Sequence, residues 1–171
     1  MGILRRHHDE LGTRYQMREK LVSIGDDFWI ENADGDRVFK VDGKALRVRD
    51  TLVVKALSGE ELFTVRERKL SIRDKMTVER DGDTVATVHK ALVSPLRQRF
   101  KVELEDGGEL EAHGNIVDHE YEIEQDGHKI AEVSKRWFRM RDTYGVDVYG
   151  ENTDPALILS ITVAIDAMSH D

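Results

Sequence analysis

The chain has 171 residues, 35% of them charged, with 34 acidic side chains against 26 Lys and Arg for a net charge of −8. That length supports a hydrophobic core without a disulfide or metal staple, and the absence of cysteine excludes disulfides, thiolate metal sites and thiol catalysis. A net acidic surface repels nucleic acid and anionic lipid on average, so no nucleic-acid partner is expected. The cysteine-free composition fits a cytoplasmic protein.

The opening stretch, MGILRRHHDE, has no apolar core of a signal peptide. Arg6 stands where a myristoylation motif wants Ser or Thr. Residues 1–12 are expected to form a flexible N-terminal segment, and residues 13–168 a single domain. No run reaches the roughly 18 apolar residues of a membrane span, so no transmembrane segment is expected.

From there the chain is built of short alternating runs. Asp34-Gly35, Ser58-Gly59, Asp81-Gly82, Asp106-Gly107 and Asp126-Gly127 punctuate them at steps of 24, 23, 25 and 20 residues. Such pairs supply the positive φ angles of tight hairpins. Upstream of the turns, large apolar residues recur at Phe28, Leu52, Met76, Phe100, Tyr121 and Tyr144. A second apolar residue follows each by two: Ile30, Val54, Val78, Val102, Ile123 and Val146. A period of two buries one strand face. Strands are predicted over 13–18, 27–32, 37–43, 51–57, 61–68, 75–80, 83–90, 99–105, 109–115, 120–125, 128–135 and 143–149. Twelve short strands with regular turn signals point to an antiparallel barrel or sandwich. A propeller blade would need four strands per repeat, and this unit has two.

The final segment, TDPALILSITVAIDAM, has no charge from Ala156 to Ile165. Asp154 is suited to cap a helix and Pro155 to occupy its first position. A buried strand is the alternative for this Ile-, Thr- and Val-rich run; the cap and the length favour a helix over 155–168. That helix has no polar face, so it must be buried all round. A closed barrel of about eleven strands or more leaves room for a helix in its lumen. The predicted fold is therefore mainly β, a closed antiparallel barrel of about twelve strands enclosing a hydrophobic C-terminal helix.

With this pattern in place, the sequence resembles the LURP-one-related family, within the tubby C-terminal-like superfamily that also includes the phospholipid scramblases. The stretches that carry the resemblance are RYQMREKLVSIGDDFWIENADGDRVFKVDGKALRVRDTL (14–52), LSIRDKMTVERDG (70–82), ALVSPLRQRFKVE (91–103), RWFRMRDTYGVDV (136–148) and the terminal helix. The resemblance implies a tubby-like barrel around a central helix. Tubby proteins bind phosphoinositides through basic side chains on the barrel wall, but no residue of that site matches a position here. The palmitoylated cysteine-rich stretch, proline-rich tail and calcium motif of scramblases are also missing. Small prokaryotic members look like bare barrels of unknown role.

Candidate sites are few. The connectors Arg49-Asp50, Arg73-Asp74, Arg141-Asp142 and Arg97-Gln98 read as corner pairs between hairpins, since a ligand site seldom needs one copy per repeat. Basic clusters around Arg66–Lys75 and Lys90–Lys101 are interleaved with acids and read as mixed solvated surface. The third cluster, Lys135, Arg136, Arg139 and Arg141, contains Trp137 and is the candidate ligand-binding patch; basic plus aromatic suits an anionic lipid headgroup. His113, Asp118 and His119 match no metal-ligand spacing, so no metal site is expected. Glu111 and His113 fall in phase with inward positions of other repeats; the extra glycine of DGGEL is expected to slip the register by one and turn Ala112 and Gly114 inward. No G-x-S-x-G, P-loop, dinucleotide or H-E-x-x-H motif is present. The expected function is a non-enzymatic binding or scaffolding barrel with no cofactor and no catalytic residue. Its partner is a protein, or alternatively an anionic lipid.

Overall fold

The computed structural model describes residues 12–18, 27–43, 51–68, 75–94, 97–137 and 143–169. Among these residues, twelve strands precede one helix: β1 Thr13–Arg18, β2 Phe28–Asn32, β3 Arg37–Asp42, β4 Thr51–Ala56, β5 Glu61–Arg68, β6 Lys75–Arg80, β7 Asp83–Ser94, β8 Arg97–Leu104, β9 Glu109–Asn115, β10 Glu120–Gln125, β11 His128–Ser134, β12 Thr143–Val148 and α1 Pro155–Ser169. Each strand pairs antiparallel with its neighbours in sequence, and β1 pairs with β12 to close the barrel. Closure leaves no edge strand.

The alternation seen in the sequence is the two sides of this wall. In β10, Tyr121 and Ile123 are buried while Glu120, Glu122 and Glu124 are not. Adjacent strands carry their inward residues in register. Phe28 faces Val41, Val41 faces Val54 and Val54 faces Phe63. The same ladder runs on through Val88↔Val102 and Val102↔Leu110. These side chains and those of α1 form one core cluster.

The five turn pairs split into two kinds. Asp81 and Gly82 have φ of 52° and 87°, and Asp126 and Gly127 have 52° and 76°. Two consecutive positive φ values make the tight turn whose twist matches the strands it joins. The other three turns hold only their glycine at positive φ: Gly35, Gly59 and Gly107. β7 and β8 are longer than predicted because their ladder continues through Lys90↔Phe100 and Ala91↔Arg99 to Ser94↔Arg97. Pro95 follows directly in the sequence and has no amide for a ladder.

The predicted register slip at β9 is present through Ala112: Leu110 and Ala112 are buried, while Glu111 and His113 lie on the outer face. Gly114, expected inward as well, is exposed near the strand's end. Gly114 has φ of 133°, and a Cβ there would sit 2.7 Å from the Glu120 carbonyl oxygen. Only glycine allows β10 to approach this closely.

The α1 helix starts as its sequence requires. The Ala156 amide donates to Asp154 Oδ1 at 3.0 Å, and Arg80 pairs with the same carboxylate's Oδ2 at 3.1 Å. Its fifteen residues span about 22 Å at ~1.5 Å per residue. Leu159, Ile161, Val163, Ala164 and Ile165 have no exposed surface. The hydroxyls of Ser160 and Thr162 are buried among them, and each donates to the carbonyl four residues back, Ala156 and Ile158. That local bond satisfies a hydroxyl in apolar surroundings. No helix among the described residues is long and apolar enough to cross a membrane.

Candidate functional site

The lumen and the outer wall present different chemistry. Inside, the α1 side chains fill the space between the strands, and one ionisable pair lies among them. His119 and Asp166 are 1% and 2% exposed, and His119 Nε2 lies 2.5 Å from Asp166 Oδ1. The turn from Ile116 to His119 delivers the imidazole. His119 takes the left-handed conformation at φ 54°, its amide donates to the Ile116 carbonyl, and Asn115 binds Asp118 beside it. The imidazole stacks on Tyr144 with centroids 4.3 Å apart. Tyr121 lies nearby, its phenol pKa driven up by burial and by the Asp166 charge. A buried carboxylate needs such a partner, because an unpaired one costs several kcal/mol, on the order of the whole fold's margin.

This pair was not legible as a unit. Asp166 is the only acid within α1, and His119 is 47 residues away. It also resolves the histidine cluster. His119 points into the barrel, His113 lies on the outer face, and Asp118 bonds to Asn115, so the three do not converge.

Outside, the basic–aromatic patch sits where β11 ends and beside the β1–β12 seam. Glu120 organises it. Its carboxylate accepts from Ser134 Oγ at 2.8 Å and from the Lys135 amide at 3.0 Å, and it pairs with Arg136 Nε at 3.6 Å. The Arg136 amide in turn donates to Ser134 Oγ. The Arg136 side chain is 82% exposed. Trp137 is half-buried and lies under the Arg14 guanidinium, 4.1 Å from its ring centroid. Arg14 grips Asp147 through two bonds, Nε to Oδ1 at 2.8 Å and Nη2 to Oδ2 at 2.9 Å. This two-pronged geometry is what the planar guanidinium provides. Arg139 and Arg141 lie outside the described residues. The sequence reading found Lys135, Arg136 and Trp137 but missed Glu120, which meets them where β11 follows β10, and Arg14 and Asp147, which meet only once β1 closes on β12.

Three arginines of the other basic clusters are tied into the wall. Arg66 and Arg68 both pair with Glu79, at 3.5 and 2.9 Å, and Arg99 pairs with Glu111 at 3.2 Å. Of the proposed corner pairs, Arg49-Asp50, Arg73-Asp74 and Arg141-Asp142 lie outside the described residues, as does the Arg97 side chain.

A family model for LURP-one-related proteins matches residues 13–166, from β1 into the last turn of α1. The chain belongs to the LURP-one-related family. An X-ray structure of an Arabidopsis thaliana protein superposes with a TM-score of 0.67 at 18% identity, covering 91% of this chain and 90% of that one. At that identity the likeness speaks for the fold alone. A search of curated proteins finds no match.

In this LURP-one-related barrel the electrostatics of the seam follow from the same contacts. The hydrogen bond to Asp147 holds the Arg14 pKa above its ordinary value. Burial, with Asp147 and Glu132 close by, pushes the Tyr149 phenol up to about 12. Arg14 and Tyr149 therefore stay cationic and neutral respectively through the physiological range. Neither of these two groups is poised to exchange a proton near neutrality.

Proposed function

We propose that this LURP-one-related barrel is a non-catalytic binding or scaffolding protein that meets its partner on the outside of its wall. The observation that carries the reading is the filled lumen: α1 occupies the space that a ligand or substrate would need. The buried ionisable pair inside, His119 and Asp166, is consumed in holding the helix to the β9–β10 turn. Turnover on a panel of general substrates, abolished by one side-chain change, would defeat this reading.

A second reading is favoured by the patch beside Glu120. An exposed Arg136 next to the Trp137 ring suits an anionic lipid headgroup at a membrane interface. Lys135, Arg136 and Trp137 supply this surface, with Arg139 and Arg141 as the further cations nearest in sequence. The headgroup has to compete with Glu120 for Arg136, so the affinity is modest and falls with salt. Sedimentation with vesicles containing anionic lipid, at low and physiological salt, checks it. Salt-sensitive binding that weakens in an Arg136→Ala variant is expected. Equal recovery with neutral and anionic vesicles at low salt rules the lipid out and leaves a protein partner.

A further inference from the structure

The register slip in β9 has placed Glu111 and His113 on the outer face, where they meet β10. His113 lies directly across from Glu122, and Glu111 directly across from Glu124. Because Glu122 and Glu124 are two residues apart on one strand, all four side chains share a face. We propose that His113, Glu122 and Glu124 form a binding site for a divalent transition-metal ion such as Zn2+.

The geometry is that of a coordination sphere waiting to be drawn in. One donor atom from each residue lies within 4.8 Å of the other two. His113 Nε2 is already 3.2 Å from Glu124 Oε1. Ligands bonded at about 2.0–2.2 Å to one ion sit roughly 3 Å from each other, so that edge needs no adjustment. Glu122 has only its own rotamers to change. Its present partner, Lys129, is 3.5 Å away and lies closer to Glu132, at 3.1 Å. Lys129 can therefore keep a carboxylate while Glu122 turns to the metal.

Charge argues the same way. Glu124 and Glu111 oppose each other on the ladder, and like charges so placed destabilise a sheet. Glu111 is compensated by Arg99, but the partner of Glu124 is the imidazole. A divalent ion held between Glu122 and Glu124 would supply positive charge directly to both carboxylates. Imidazole among the donors selects Zn2+, Ni2+ or Cu2+ over Mg2+ and Ca2+, which prefer oxygen alone. Glu124 also lines a surface groove of about 250 Å3 that it shares with Lys101, Glu111 and Asp126.

The test is calorimetric titration of Zn2+ and, separately, of Mg2+ into the full chain. It is repeated on His113→Ala, on Glu124→Gln and on a His7→Ala/His8→Ala variant, because two adjacent histidines are another imidazole source. All the substitutions are at the surface or near the terminus, and a thermal melt verifies folding. Even an outer-sphere partner of a metal ligand is worth about 10–100-fold in affinity, so loss of a direct ligand should cost at least that. We expect one equivalent of Zn2+ bound more tightly than Mg2+, with affinity lost in the His113 and Glu124 variants and kept in the His7/His8 variant. Absence of Zn2+ binding, or binding that depends on His7 and His8 and not on His113, overturns the proposal.

Discussion

Tyr121 is the residue at which the barrel's interior chemistry is most open to measurement. Its phenol faces α1 beside Thr162, and burial together with the nearby Asp166 raises its pKa. A phenol raised in this way keeps its proton in the folded chain at a pH where the unfolded chain has already lost it. Its stabilising contribution is intact below about pH 10 and declines as pH rises beyond that. The expected slope is about 1.4 kcal/mol of lost stability per pH unit for this one group. Urea unfolding at a series of pH values from 9 to 11 should show a steeper alkaline decline for the parent than for Tyr121→Phe. Parallel curves would mean that the phenol is not enclosed with Asp166. The same region shows where sequence reading stops. The inward positions of β10, Tyr121 and Ile123, follow from alternation alone. That His119, one turn earlier, should enter the lumen depends on a left-handed backbone conformation that a non-glycine residue rarely adopts.

At the scale of the element, α1 carries the fold. Its lack of a polar face was visible in the sequence, and burial all round was its physical consequence. What the sequence did not show is how the polar residues within it are accommodated. Ser160 and Thr162 turn back on the helix itself, and Asp166 meets His119. Ile161 is fully buried at the middle of α1. Ile161→Ala should cost about 2–5 kcal/mol, the transfer of the lost methyl groups plus the cavity left behind. Ile161→Asp should abolish stable folding, since it buries a charge with no partner. Circular dichroism melts separate the two cases; an aspartate variant melting like the parent would place Ile161 at a surface.

The whole molecule is a repeat that closes. The repeat was legible because each hairpin writes the same local instructions: an alternating run, a turn pair and a second alternating run. The β9 register could also be read, as the extra residue of DGGEL moves every side chain to the opposite face. The surface sites could not, because they are built by closure and by cross-strand neighbours. Arg14 and Asp147 are 133 residues apart, and His113 meets Glu122 only through the β9–β10 ladder. A basic cluster read along the chain likewise says nothing of the acid that an adjacent strand sets against it, as Glu79 is set against Arg66 and Arg68.

The central claim is that α1 permanently fills the lumen and confines recognition to the outer wall. Native-state hydrogen exchange of the Ile161–Ile165 amides tests it most directly. If the claim holds, these amides exchange only through global unfolding, with the same free energy as denaturant unfolding and as the inward positions of β7 and β8. If they exchange far faster than the wall strands, the helix leaves the barrel without unfolding it. The lumen would then open, and the account of a sealed, externally binding barrel would be wrong.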